Sequence, residues 1–180
     1  MSRIPELRRD ALDADAQRLY DEILAARGSI AGPFRVWLYS PEFTRRATQL
    51  GEFLRYHTSL PPRLSELVIL ITARLQKSEA QWAIHEPLAR KAGLPANVIE
   101  ALGNDIAPTF DSPEERAIYE YCHELHLTHT VVESTMHQLI DVLGKKAAIE
   151  ATGLCGYYTM VAMTLNAFGI AADADADPTT

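Results

Sequence analysis

Residues 63–85 read RLSELVILITARLQKSEAQWAIH, and this stretch decides the fold. Leu67 to Ile71 are apolar without a break and follow Pro61 and Pro62, residues suited to a first helical turn, so a buried helix is predicted here. Ser78 reads as the N-cap of a second helix, with Gln81 three residues on completing a capping box. On that helix Trp82, His85 and Leu88 share one face at spacings of three and four. Pro87 cannot donate to the carbonyl of Ala83 and predicts a kink two residues after His85. The hinge near Gln76 and Lys77 is short enough to lay the helices antiparallel. Glu66 and His85 then face each other across the hairpin, the geometry needed to shuttle a proton at neutral pH.

Working outward, helix punctuation recurs along the chain with almost no period-two alternation, so the prediction is an all-α bundle. Asp13 caps a helix ending at Gly28, Gly32-Pro33 follows, and Ser40-Pro41 opens a helix to about Tyr56. Gly93-Leu94-Pro95 is a stop, after which a short helix runs from Ala96 to about Leu102. Asn104 to Asp111 is the clearest loop. Ser112-Pro113 with Glu115, and Thr130 with Glu133, read as capping boxes for helices ending near Leu127 and Gly144. A last helix from about Lys145 holds the uncharged stretch Ala151 to Ala172. That is long enough to raise a transmembrane question, but Thr152, Thr159, Thr164, Asn166 and its glycines favour a helix buried between subunits. One domain over 1–170 is expected, with a disordered acidic tail over 171–180.

Composition excludes several classes. With 180 residues, 47% hydrophobic and 23% charged, the chain is an ordinary soluble domain able to bury one core. The 24 acidic against 17 basic residues give a net charge of -7, and basic residues cluster only in pairs, so nucleic acid and anionic membrane are poor partners. MSRIPELRRD lacks an apolar signal region, so the cytoplasm is the expected compartment. Cys122 and Cys155, on separate predicted helices, are expected to be buried thiols rather than a disulfide.

Arg63, Glu66, the apolar run, Trp82, His85, Pro87, Ala89, Gly93 and Leu94 together resemble the carboxymuconolactone decarboxylase superfamily, which also contains alkyl hydroperoxidase D. The likeness fixes Glu66 and His85 at a 19-residue separation and extends more loosely to GYYTMVAMTLNAFGI, so it covers roughly Leu50 to Ile170. It implies an oligomeric helical bundle, trimer or hexamer. The peroxidase branch of the family carries a CxxC pair seven and four residues before the histidine, and Ser78 and Gln81 stand there in this chain. Neither forms a thiolate, which argues against thiol-dependent peroxide reduction of that kind. What the resemblance leaves is a cofactor-free, metal-free acid-base lyase acting on a small, anionic lactone or related carbonyl compound. His85 would move the proton, Glu66 would orient it, and Arg63 or Arg74 would hold a carboxylate. Trp82, Gln81 and Ser78 would line the substrate site.

The run YCHELHLTH places His123, His126 and His129 close together, and Glu120-x-x-His123 superficially matches a di-iron half-site. No second half-site, HExxH motif or CxxC accompanies it, so a solvated helix face is the expectation. Tyr56-His57 is a further candidate border of the site. Two competing functions remain: a thiol peroxidase using Cys122 or Cys155, and a noncatalytic binding or assembly protein.

Overall fold

The structure is a computed structural model describing residues 3–5 and 7–171, and among these there is no β-strand. A 3-10 turn at Arg9–Ala11 precedes α1 (Ala14–Arg27), α2 (Phe34–Trp37), α3 (Pro41–Tyr56) and α4 (Pro62–Leu75). They are followed by α5 (Glu79–Lys91), α6 (Ala96–Gly103), α7 (Pro113–Thr128) and α8 (Glu133–Phe168). The all-α expectation holds, and the predicted helices form within a few residues of their predicted ends. The short α2 and the 3-10 turn carried no recognisable signal. The acidic tail from residue 172 onward lies outside the described residues.

The bundle is built around α4. Leu64 through Ala73 are all buried, so this helix has no solvent face, as its unbroken apolar run requires. It packs against α5, α7 and α8. Each fully buried Leu, Ile or Val there contributes roughly 1.5–3 kcal/mol of transfer free energy. α8 packs against α4 and α7, with smaller contacts to α3 and α5, and buries Leu154, Tyr158, Ala162 and Leu165 within the chain, while Ile149 and Met163 stay exposed. Among the described residues no helix is long and apolar enough to cross a membrane.

Helix ends follow the sequence unevenly. Asp13 Oδ1 accepts the Ala16 amide, and Gly28 closes α1 in the left-handed region at φ 72°. Gly144, at φ 85° and ψ 162°, breaks α8 where one helix was predicted to end and the next to begin. Three capping readings need correction. The Ser78 side chain makes no capping bond, and the Gln81 amide donates to the Ile69 carbonyl at 3.3 Å instead of reaching back to residue 78. Burial against α4 has taken Gln81 out of the box. Val132, not Thr130, precedes α8, and its amide is held by Glu124. Ser112 does cap Glu115, but the Glu115 carboxylate turns to Arg63. The helix α5 continues through Pro87 to Lys91.

Candidate active site

The α4–α5 turn sets the site. Lys77, at φ 51°, adopts the left-handed conformation that reverses the chain within two residues of the α4 end. Glu66 lies about 15 Å before that turn along α4 and His85 about 12 Å after it along α5, at 1.5 Å per residue, so antiparallel packing brings them level. Glu66 Oε2 accepts from His85 Nδ1 at 2.8 Å. Both are buried, at 8% and 5% exposure, so the pair is held away from competing water. With Glu66 ionised the bond places the His85 proton on Nδ1, and among the described residues Nε2 has no hydrogen-bond partner. Tyr158 packs edge-on against the imidazole at 5.1 Å between centroids and fixes its plane.

His85 forms part of the wall of a cavity of about 110 Å³ between the α1–α2 loop, α3, α5 and α8. Its polar lining comprises Arg27, Ser29, Arg55 and Gln81 with the two tyrosines Tyr157 and Tyr158. Arg27 lies 4.8 Å from the Phe34 ring and Arg55 5.1 Å from the Tyr56 ring, and among the described residues neither has a carboxylate partner. Two cations stacked on aromatic faces therefore border the cavity with their charge uncompensated. Burial pushes the Tyr157 phenol up to about 12 and the Tyr158 phenol higher still, so both remain protonated donors at neutral pH. Gln81 Oε1 is buried without a hydrogen-bond partner because the amide nitrogen is committed to Ile69.

The residues singled out in the sequence do not all converge. Glu66, His85 and Gln81 come together on the cavity side of the hairpin. Ser78 is buried beside them in sequence but does not line the cavity, and its hydroxyl has no partner. Arg63 sits 2.9 Å from Glu115 Oε1 on the α7 side. Arg74 is held by Asp105 at 2.9 Å and by the Gly103 carbonyl at 2.6 Å, with the Trp82 ring 5.6 Å from its guanidinium. Trp82 thus packs toward Arg74 and the end of α6 and does not line the cavity. His57 is exposed and lies 4.0 Å from Glu52. His123 stacks on Tyr119, His126 Nε2 meets Thr72 Oγ1 at 3.0 Å, and His129 forms the left-handed end of α7; among the described residues no group of three His, Cys, Asp or Glu is placed to hold a metal ion.

Sequence reading missed Arg27, Arg55, Tyr157 and Tyr158. One signal was available: Gly51 stands in the interior of α3, where glycine is unfavourable unless something approaches closely. The Tyr157 ring lies against it.

The all-helical bundle is of the alkyl hydroperoxidase D-like type. Residues 41–124 match the model of the Carboxymuconolactone decarboxylase family, and the chain has no CxxC pair at Ser78 and Gln81. The fold is shared with an uncharacterized peroxidase-related protein with an alkylhydroperoxidase core from Ralstonia eutropha JMP134, at TM-score 0.81 and 16% identity, covering 97% of this chain and 93% of that one. It is shared also with a peroxidase-related protein from Silicibacter sp. TM1040, at TM-score 0.80 and 13% identity over 97% and 93% of the two chains. The debrominase Bmp8, solved in complex with 2,3,4-tribromopyrrole, has TM-score 0.76 and 13% identity over 97% and 95%. A comparison with curated protein sequences gives no match.

Proposed function

We propose that the protein is a cofactor-free acid-base enzyme of the carboxy-lyase type, acting on a small anionic lactone or carboxylated carbonyl compound. One observation carries this reading: His85 is bound by Glu66 at Nδ1 and lines a cavity bordered by two arginines that have no carboxylate partner among the described residues. Arg27 and Arg55 receive a negative group of the substrate in place of Arg63 and Arg74, which are paired with Glu115 and Asp105. The scissile carboxylate leaves as carbon dioxide, and its bonding electrons pass into the neighbouring carbonyl system. Nε2 of the charged ring then delivers a proton to the α or γ carbon, and Glu66 stabilises that charged form. Tyr158 and Tyr157 donate hydrogen bonds to the carbonyl oxygen that gains charge. The same reading includes self-association into a homo-oligomer through exposed apolar side chains such as Leu50 and Phe53 on α3 and Ile149 and Met163 on α8.

The test is carbon dioxide release from 4-carboxymuconolactone and from a panel of small carboxylated lactones and β-keto acids, run beside solvent-deuterium incorporation by NMR. His85→Ala is expected to lose at least about 10²-fold in rate, the scale of general acid-base catalysis, with unchanged helical circular dichroism. A wild-type chain that releases no carbon dioxide and exchanges no deuterium with any of these compounds, or a His85→Ala chain as fast as wild type, removes the proposal. Light scattering decides the oligomer: a monomer mass at micromolar concentration rejects it.

A further inference from the structure

Cys122 and Cys155 are 33 residues apart in sequence, and the acid-base chemistry uses neither. Packing of α7 on α8 brings their sulfurs to 3.5 Å, with both residues buried as free thiols. A third group joins them. His126, one turn beyond Cys122 on α7, meets Thr72 of α4 at 3.0 Å, and both His126 and Thr72 bear on the Cys155 sulfur. Hydrogen bonding from Cys122, then from His126, holds the Cys155 thiol below its ordinary range, whereas Cys122 is driven up by the same shared bond and by burial. His126 and Thr72 bear on Cys155 and not on Cys122, so Cys155 is the member whose thiolate has hydrogen-bonding support. A bond between the two sulfurs requires them to close by about 1.5 Å, from contact distance to a disulfide length of about 2.05 Å, which small side-chain rotations supply.

Access is narrow. Cys122 is 0% and Cys155 2% exposed, while His126, which bears on Cys155, is half-buried, so an oxidant that reaches the sulfurs must be very small. We infer that Cys122 and Cys155 form a dithiol centre that hydrogen peroxide converts reversibly to a disulfide between α7 and α8, separate from the Glu66–His85 cavity. The Cys155 thiolate attacks one peroxide oxygen, the O–O bond breaks, and Cys155 sulfenic acid forms as hydroxide leaves and is protonated to water. The Cys122 sulfur then attacks the Cys155 sulfur. The S–O bond breaks, the S–S bond forms, and the Cys122 proton departs with the oxygen as a second water. Two thiols and one peroxide thus give one disulfide and two waters, and a dithiol such as dithiothreitol restores the thiols by exchange. This centre does not occupy the Ser78 and Gln81 positions, where the peroxidase branch of the superfamily holds its cysteines.

The experiment uses the reduced, desalted full chain with one equivalent of hydrogen peroxide, followed by thiol counting in native and denatured protein, intact mass and a non-reducing gel. Both thiols are expected to disappear, with a mass loss of two hydrogens, no cross-linked dimer, and full recovery in dithiothreitol. Cys122→Ala is expected to accumulate a sulfenic acid on Cys155 that dimedone traps, and Cys155→Ala to leave the Cys122 thiol intact. His126→Gln should slow disulfide formation by at least about tenfold while reaching the same product, as loss of a group that favours the thiolate does. Native wild-type protein that keeps both thiols, while the urea-unfolded chain loses them under the same treatment, overturns the proposal. So does a product that is only sulfinic acid or intermolecular disulfide. Should the alanine variants lose helical circular dichroism, the wild-type thiol count and mass decide alone.

Discussion

Replacing Gly51 by alanine is expected to destabilise the protein, whereas the same change at Gly156 should stabilise it. A Cβ on Gly51 would overlap Tyr157 Oη and stand 2.5 Å from Cζ, where carbon pairs ordinarily rest at about 3.5–4.0 Å. The ring must retreat by about 1 Å. It has little room to do so, being packed edge-on between Trp37 at 6.4 Å and Tyr158 at 5.4 Å. Overpacking of this kind costs about 1–3 kcal/mol, against a gain of about 1 kcal/mol from helix propensity. The net is a loss of up to about 2 kcal/mol, or a Tm lower by up to about 8 °C for a domain of this length. At Gly156, also inside a helix, nothing lies within 4 Å of the added carbon, so only the propensity gain remains. That variant should rise by about 0.5–1 kcal/mol. Tyr157→Phe removes the atom nearest the new methyl and should recover part of the Gly51→Ala loss in a double-mutant cycle. Urea and thermal unfolding followed by circular dichroism read all of these. A Gly51→Ala protein stabilised as much as Gly156→Ala would refute the close-approach reasoning, since the ring would then have opposed none of the propensity gain.

Once a substrate is in hand, Arg27→Ala and Arg55→Ala should each raise KM by about tenfold or more, the loss of a charge-assisted bond, while Arg63→Ala and Arg74→Ala leave it within about twofold. Steady-state kinetics on the four variants separates the cavity from the other two arginine positions. Glu66→Gln keeps an acceptor for His85 Nδ1 at nearly the same shape, so unfolding stability should change by only about 1 kcal/mol while turnover falls by about 10²-fold or more; equal losses in both would make the pair structural. Burial raises the Glu115 carboxyl above its ordinary range, outweighing Arg63. A raised folded pKa means that the ionised group opposes folding at neutral pH and that this opposition fades as pH falls toward the unfolded value. The stability advantage of Glu115→Gln over wild type should therefore be largest near neutrality and shrink toward pH ~4.5, where the unfolded carboxyl also protonates; denaturant titrations across that range check it.

The Glu–His pair was legible because both residues sit on one short hairpin whose hydrophobic period fixes which faces meet. Local rules sufficed there: two prolines to start a helix, an unbroken apolar run to bury it, and a turn too short for anything but antiparallel packing. The reading of Ser78 and Gln81 as a capping box failed for the opposite reason. A capping box is a local bond, and burial of Gln81 against the Ile69 carbonyl outcompeted it. Arg63 and Arg74 were natural anion holders by sequence proximity to Glu66, but each turns to a carboxylate on a distant element.

What the sequence by itself determined was the helical class, the break at Gly144, the α4–α5 hairpin and the pairing of Glu66 with His85, because periodicity and chain reversal act over a few residues. Only the tertiary structure decided which side chains share the cavity with His85, since Arg27, Arg55 and Tyr158 arrive from helices whose relative placement depends on how three faces of α4 are covered at once. It likewise brought Cys122 to 3.5 Å from Cys155, a meeting of sulfurs that depends on how α7 and α8 pack and that no spacing along the chain encodes.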